Sequence, residues 1–154
     1  MQFTLGLTGD LLTNEGNPCF GLQPLEALYK EKKILVEWMD PSIQILSEKE
    51  TSKYDAILLN LPKAKAECVS QSNCKLKIIS RFGVGFDSVD IQAMKNKNII
   101  VTNTPNAVRR PVAVAALTMI FAAAGKLLQK DVLVRNGNWN NRTNFMGKGC
   151  LLYT

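Results

Sequence analysis

The 154-residue sequence contains no histidine, and aromatic residues make up only 7% of it. The first absence removes the one side chain whose unperturbed titration falls between about pH 5 and 8. Acid or base chemistry near neutral pH would need a displaced carboxylate or lysine instead. Acidic residues are also scarce, 13 against 19 lysines and arginines, for a formal net charge of +6. That excess permits an anionic partner such as a nucleic acid or a phosphorylated cofactor. The basic residues are dispersed, however, at Lys30, Lys32, Lys33, Lys63, Lys65, Lys95, Lys97, Arg109 and Arg110, without an aromatic–basic module. No nucleic-acid partner is expected. The longest uncharged stretch, Pro111 to Gly125, has fifteen residues, short of the roughly 18 a bilayer span requires, and reads as a buried helix. The N-terminus lacks a basic region, a long apolar core and a small-residue cleavage site, so no signal peptide is read. The expectation is a soluble, cytoplasmic protein with no membrane partner. Cys19, Cys68, Cys74 and Cys150 lack metal-ligand spacing and read as free thiols in a reducing compartment.

What is present is a succession of short apolar runs. Phe3–Leu7 alternates, and Ile34–Trp38, Ala56–Leu59, Leu76–Ser80 and Ile99–Val101 follow. Ala56–Leu59 is apolar without alternation, which suits a strand covered on both faces. Between these runs lie helical patterns: one opened by Pro24 and ending in Lys30–Lys33, and a weak one carrying Ile43, Ile45 and Leu46. Two more follow, one over Lys63–Gln71 and one from Asp87 through Met94. Strands alternating with helices argue for βαβ units and a mainly parallel sheet. Residues 1–106 are therefore expected to form one α/β domain of the flavodoxin-like, three-layer kind. Pro111 then opens a long helix to about Leu128, apolar around much of its circumference, which needs covering surface on more than one side. A shorter helix, Lys130–Arg135, and a polar stretch reaching Phe145 complete the pattern.

The segment Arg81-Phe82-Gly83-Val84-Gly85-Phe86-Asp87-Ser88-Val89-Asp90 directly follows a strand. A dinucleotide fingerprint requires Gly-x-Gly-x-x-Gly there, and the third glycine is missing. Asp87 would also repel a pyrophosphate, and reads as the cap of the next helix with Asp90 in its first turn. Two readings stay open: a tight structural turn, or a nest in which the amides of Val84 and Gly85 donate to a small carboxylate.

The strings LKIISRFGVGFDSVD, NIIVTNTPNAV, VAVAALTMIFAAAGKLL and RNGNW, in this order and spacing, resemble the NAD-dependent D-isomer-specific 2-hydroxyacid dehydrogenase family, which includes phosphoglycerate, glycerate and glyoxylate/hydroxypyruvate dehydrogenases. The resemblance is specific over the second half of the chain and loose over residues 1–75. It implies an oxidoreductase exchanging hydride between NAD, or NADP, and C2 of a D-2-hydroxy or 2-oxo acid. It places Val84, Gly85 and Asn60 at the substrate, and Asn106 and Val112 near the crossing to the cofactor. Residues 107–154 become an interdomain helix and the incomplete start of a Rossmann-type NAD-binding domain. Many relatives carry a glutamate where this chain has Val114, and a glycine where it has Asn106. The family's dinucleotide fingerprint, its carboxylate-binding arginine and its glutamate–histidine pair match nothing in the chain, so no catalytic residue is assigned, and Arg81, Arg109 and Arg110 do not fill the arginine's place. The resulting expectation is an N-terminal fragment inactive alone, missing a C-terminal NAD-binding region, with a homodimer for the full-length protein. The rival is a small-anion-binding or dimerising flavodoxin-like domain without catalysis.

Overall fold

The apolar runs assemble into one parallel sheet in the computed structural model, which describes residues 2–148. The chain divides into two units, one up to Ala107 and one from Val108 onward. In the first, β1 (Phe3–Leu7), β2 (Ile34–Trp38), β3 (Ala56–Leu59), β4 (Ile78–Arg81) and β5 (Ile100–Thr102) pair in the order β2-β1-β3-β4-β5, every neighbour parallel. This is the flavodoxin-like order. β3 is central, and Ala56, Ile57 and Leu59 are buried, as expected of a strand with both faces covered. The core joins Ile57, Leu59 and Ile79 of the sheet to Cys68, Val69 and Met94 from the connections.

The connecting helices are short: α1 (Glu26–Lys30), α2 (Glu48–Lys53) and α3 (Ile91–Asn96). Two helix starts differ from the sequence reading, for the same reason. Residues 43–46 are not helical, because Leu46 N donates to Lys63 O at 2.8 Å and Lys63 N to Gln44 O at 2.9 Å. The helix waits for Ser47, whose hydroxyl accepts from Lys49 N at 3.2 Å while Glu50 accepts from Ser47 N at 2.8 Å, a reciprocal cap. Likewise Ala64 N donates to Ser88 O at 2.9 Å and Asp90 N to Ala64 O at 2.8 Å, holding Val89 and Asp90 extended after a turn at Asp87-Ser88. Asp90, not Asp87, is therefore the cap of α3, accepting from Ala93 N at 2.9 Å. The same bridges leave Lys63–Gln71 only a 3₁₀ turn, Ala66–Val69, in place of the expected helix.

In the second unit, α4 (Arg109–Ala124) begins ahead of Pro111, which falls in its first turn. The single helix expected to Leu128 is broken at Gly125-Lys126: Lys126 has φ 50°, and α5 (Leu127–Arg135) leaves at 59° to α4. No residue of α4 is buried. Among the described residues no single helix is long and apolar enough to cross a membrane; α4 and α5 meet that length and composition only as a bent pair. A 3₁₀ stretch, Trp139–Phe145, follows. Of the approach to a cofactor-domain strand expected at Gly147-Lys148-Gly149, Gly147 and Lys148 lie in no strand, Lys148 N donating to Ala124 O at 2.9 Å, and Gly149 lies outside the described residues.

Candidate functional site

In an open parallel sheet, ligands gather beyond the carboxyl ends of the strands, where the strand order reverses. Here the reversal lies between β1 and β3, so the loops after β1, β3 and β4 define the place to look. Gly9 follows β1 so closely packed that a Cβ there would collide with Met39 O and sit 2.6 Å from Pro41 N. Only glycine lets the chain turn at this point, and the turn sets Thr8 and Asp10 against the loop after β3. Thr8, fully buried, accepts from Asn60 N at 3.1 Å through its hydroxyl. Asp10 Oδ2 accepts from Asn60 Nδ2 at 2.7 Å and from Leu61 N at 3.0 Å. Its other oxygen, Oδ1, is buried and has no partner among the described residues.

The loop after β4 is anchored on both sides, to the end of β3 and to the chain leaving β5. Phe82 N donates to Leu59 O at 2.8 Å, and Thr104 N donates to Gly83 O at 2.9 Å. Asn103 Nδ2 donates to Val84 O at 2.8 Å. Two successive carbonyls are thus tied to the chain leaving β5. The N–H groups of Val84 and Gly85 donate to no protein group among the described residues, and both residues are exposed. Adjacent free amides in a loop after a strand make a concavity for an anion. Gly83 has φ +141°, and the Arg81 guanidinium lies where its side chain would stand. That guanidinium caps Phe82 O and brings positive charge beside Gly83. Asp87 brings the opposite sign, its Oδ2 3.8 Å from a Cβ built on Gly85. Phe20, from the loop after β1, packs on Phe82 with ring centroids 5.3 Å apart and walls one side.

Of the residues singled out in the sequence, Asn60, Val84 and Gly85 therefore stand on adjoining loops at one end of the sheet. Asn106 is exposed in the last turn of the first unit, and its side chain has no hydrogen-bond partner among the described residues. Val112 lies in the first turn of α4, its N–H already given to Val108 O at 3.0 Å, so it presents only an apolar side chain. Thr118 bonds back to Val114 O at 2.8 Å, a local helix contact. Sequence reading passed over Thr8, Asp10 and Asn103. The signal was there in part: Thr8-Gly9-Asp10 immediately follows the first strand, where parallel sheets place their ligands. No cluster of three or more metal-ligating side chains occurs among the described residues.

Residues 22–138 match the family model described as D-isomer specific 2-hydroxyacid dehydrogenase, catalytic domain. A D-3-phosphoglycerate dehydrogenase of Archaeoglobus fulgidus is 40% identical over 100 residues, covering 64% of this chain and 19% of the relative. A glyoxylate reductase of Thermococcus litoralis is 30% identical over 122 residues, 77% of this chain and 35% of the relative. The fold is similar to that of an NAD-dependent formate dehydrogenase from Staphylococcus aureus solved in complex with NAD, with a TM-score of 0.74 at 17% identity over 94% of this chain and 46% of that one. The chain thus spans between a fifth and a half of the length of these proteins.

Proposed function

The chain belongs to the D-isomer specific 2-hydroxyacid dehydrogenase family, and we propose that it supplies the acid-binding side of that family's reaction. The reaction is hydride exchange between a nicotinamide cofactor, NAD or NADP, and C2 of a D-2-hydroxy or 2-oxo acid. One observation carries the proposal: the unengaged amides of Val84 and Gly85, on a loop whose carbonyls are tied down at Gly83 and Val84. Hydrogen bonds from backbone N–H to a carboxylate are charge-assisted and about twice as strong as neutral ones. The clamp from Asn103 and Thr104 means little reorganisation is needed when the acid arrives. Asn60, held next to this loop, completes the acid's surroundings.

The described residues do not fit a dinucleotide. The loop after β4 lacks the third glycine, and the helix that follows is six residues long and already capped by Asp90. The chain's residues are accordingly given binding and orienting roles, and no proton or hydride step. Asn106 and Val112 are proposed to lie toward the cofactor, and a second copy of the chain to cover α4. With no histidine in its 154 residues, the chain is proposed to hold the acid without turning it over. Titration of isotope-labelled protein with pyruvate tests the first part: the amide resonances of Val84 and Gly85 should move saturably. An unmoved Val84–Gly85 pair would sink the acid-binding reading. Turnover of D-lactate, D-glycerate or glyoxylate with either cofactor, by protein of verified mass, would sink the inactive one.

A further inference from the structure

Asp10 is an expensive residue for a loop anchor. One carboxylate oxygen takes two hydrogen bonds, from Asn60 Nδ2 and Leu61 N, while the other is buried without a partner. A buried, unsatisfied polar atom costs stability, and a neutral group of the same shape avoids part of that cost. What a carboxylate does that a neutral amide does not is accept only. An asparagine at position 10 could meet Asn60 with either its oxygen or its nitrogen, so the amide of Asn60 could settle either way round. Facing a carboxylate, it has one choice: Nδ2 toward Asp10. Thr8 fixes the same residue through its backbone N. Asn60 therefore presents Oδ1, which accepts no hydrogen bond from the described residues, as its free acceptor at the point where the strand order reverses.

We propose that Asp10 is a positioning residue that sets the amide orientation of Asn60, so that the site recognises the hydroxyl of a 2-hydroxy acid in preference to the keto oxygen of a 2-oxo acid. A hydroxyl can donate to Asn60 Oδ1 and a keto oxygen cannot. A site built around a ligand hydroxyl discriminates against the analogue without that donor because its own polar group is left unpaired. This inference rests on the acid-binding reading of the Val84–Gly85 loop and goes further in naming the redox form preferred.

The test compares D-lactate with pyruvate, two acids that differ at C2 alone, by amide-shift titration of the full 154-residue chain. Wild-type protein should bind D-lactate at least about threefold more tightly than pyruvate. In Asp10→Asn and in Asn60→Ala the two dissociation constants should converge, while Val84 and Gly85 still respond to both acids and the melting temperature of Asp10→Asn stays within a few degrees. A loop anchor with a structural role alone would weaken both acids together and leave their ratio untouched, and that result would overturn the proposal. Equal affinities in the wild type would overturn it as well. No response to either acid at Val84 and Gly85 would overturn the acid-binding reading and this inference with it, whereas an intact response with an unchanged ratio in both variants overturns the inference alone.

Discussion

Replacing Gly83 with alanine separates the backbone requirement of the β4 loop from its chemistry. Gly83 has φ +141°, a conformation that side chains rarely adopt, and forcing a non-glycine residue into such a region costs about 1–3 kcal/mol. The new methyl group would also meet the Arg81 guanidinium, but that is the far end of a flexible side chain and can move. Against this, alanine restricts the unfolded chain and returns about 0.4–1 kcal/mol. The net loss is about 1–2 kcal/mol, which for a unit of this size corresponds to a melting temperature lower by about 4–16 °C. Gly85→Ala is the internal control. Gly85 has no positive φ, and the nearest atom to its added Cβ is Asp87 Oδ2 at 3.8 Å, an ordinary contact. That variant should melt within about 2 °C of wild type, or slightly above it. Differential scanning calorimetry of the three proteins side by side decides the matter. Equal melting temperatures for Gly83→Ala and Gly85→Ala would refute the assignment of strain to position 83.

Three further outcomes are expected. Asp55 is buried, 2.8 Å from Lys75 Nζ and 2.8 Å from Thr4 N; burial pushes its pKa up, but Lys75 and Thr4 outweigh that and hold it below the usual carboxylate value. The folded-state value being depressed, the stabilisation is present above the ordinary range near pH 4 and is lost as pH falls through the lowered value. Asp55→Asn should cost about 2 kcal/mol at pH 7 by urea titration, and its stability should fall less steeply than wild type's in acid. Burial, then Cys74, push the Cys68 thiol up to about 11, so at pH 8 a thiol reagent should modify exposed Cys19 in native protein and reach Cys68 only on unfolding; early labelling of Cys68 in a peptide map would contradict this. On α4, Leu117, Ile120 and Phe121 are 52%, 54% and 51% exposed, so light scattering should show concentration-dependent self-association that Leu117→Glu with Phe121→Glu abolishes.

The sheet was legible because strands buried on both faces leave continuous apolar runs, and β3 is the clearest case. The misread helices share one cause. Whether residues 43–46 or 88–90 coil depends on backbone partners at Lys63 and Ala64, and such a partner leaves no trace in the periodicity of the segment itself. The broken long helix is different: Gly125 marked the break, but Leu127 and Leu128 continue an apolar pattern that suits a helix equally well, and only the left-handed φ of Lys126 decides between one helix and two. The site divides along the same line. Val84 and Gly85 are adjacent in the chain, so their joint role could be read from one short string. Asp10 and Asn60 are fifty positions apart, and what joins them is that β1 and β3 are neighbours while β2 lies on the outer side. That neighbour relation is the strand reversal itself. The contact that fixes how Asn60 faces a ligand is therefore a product of topology, and it becomes readable only once the sheet order is known.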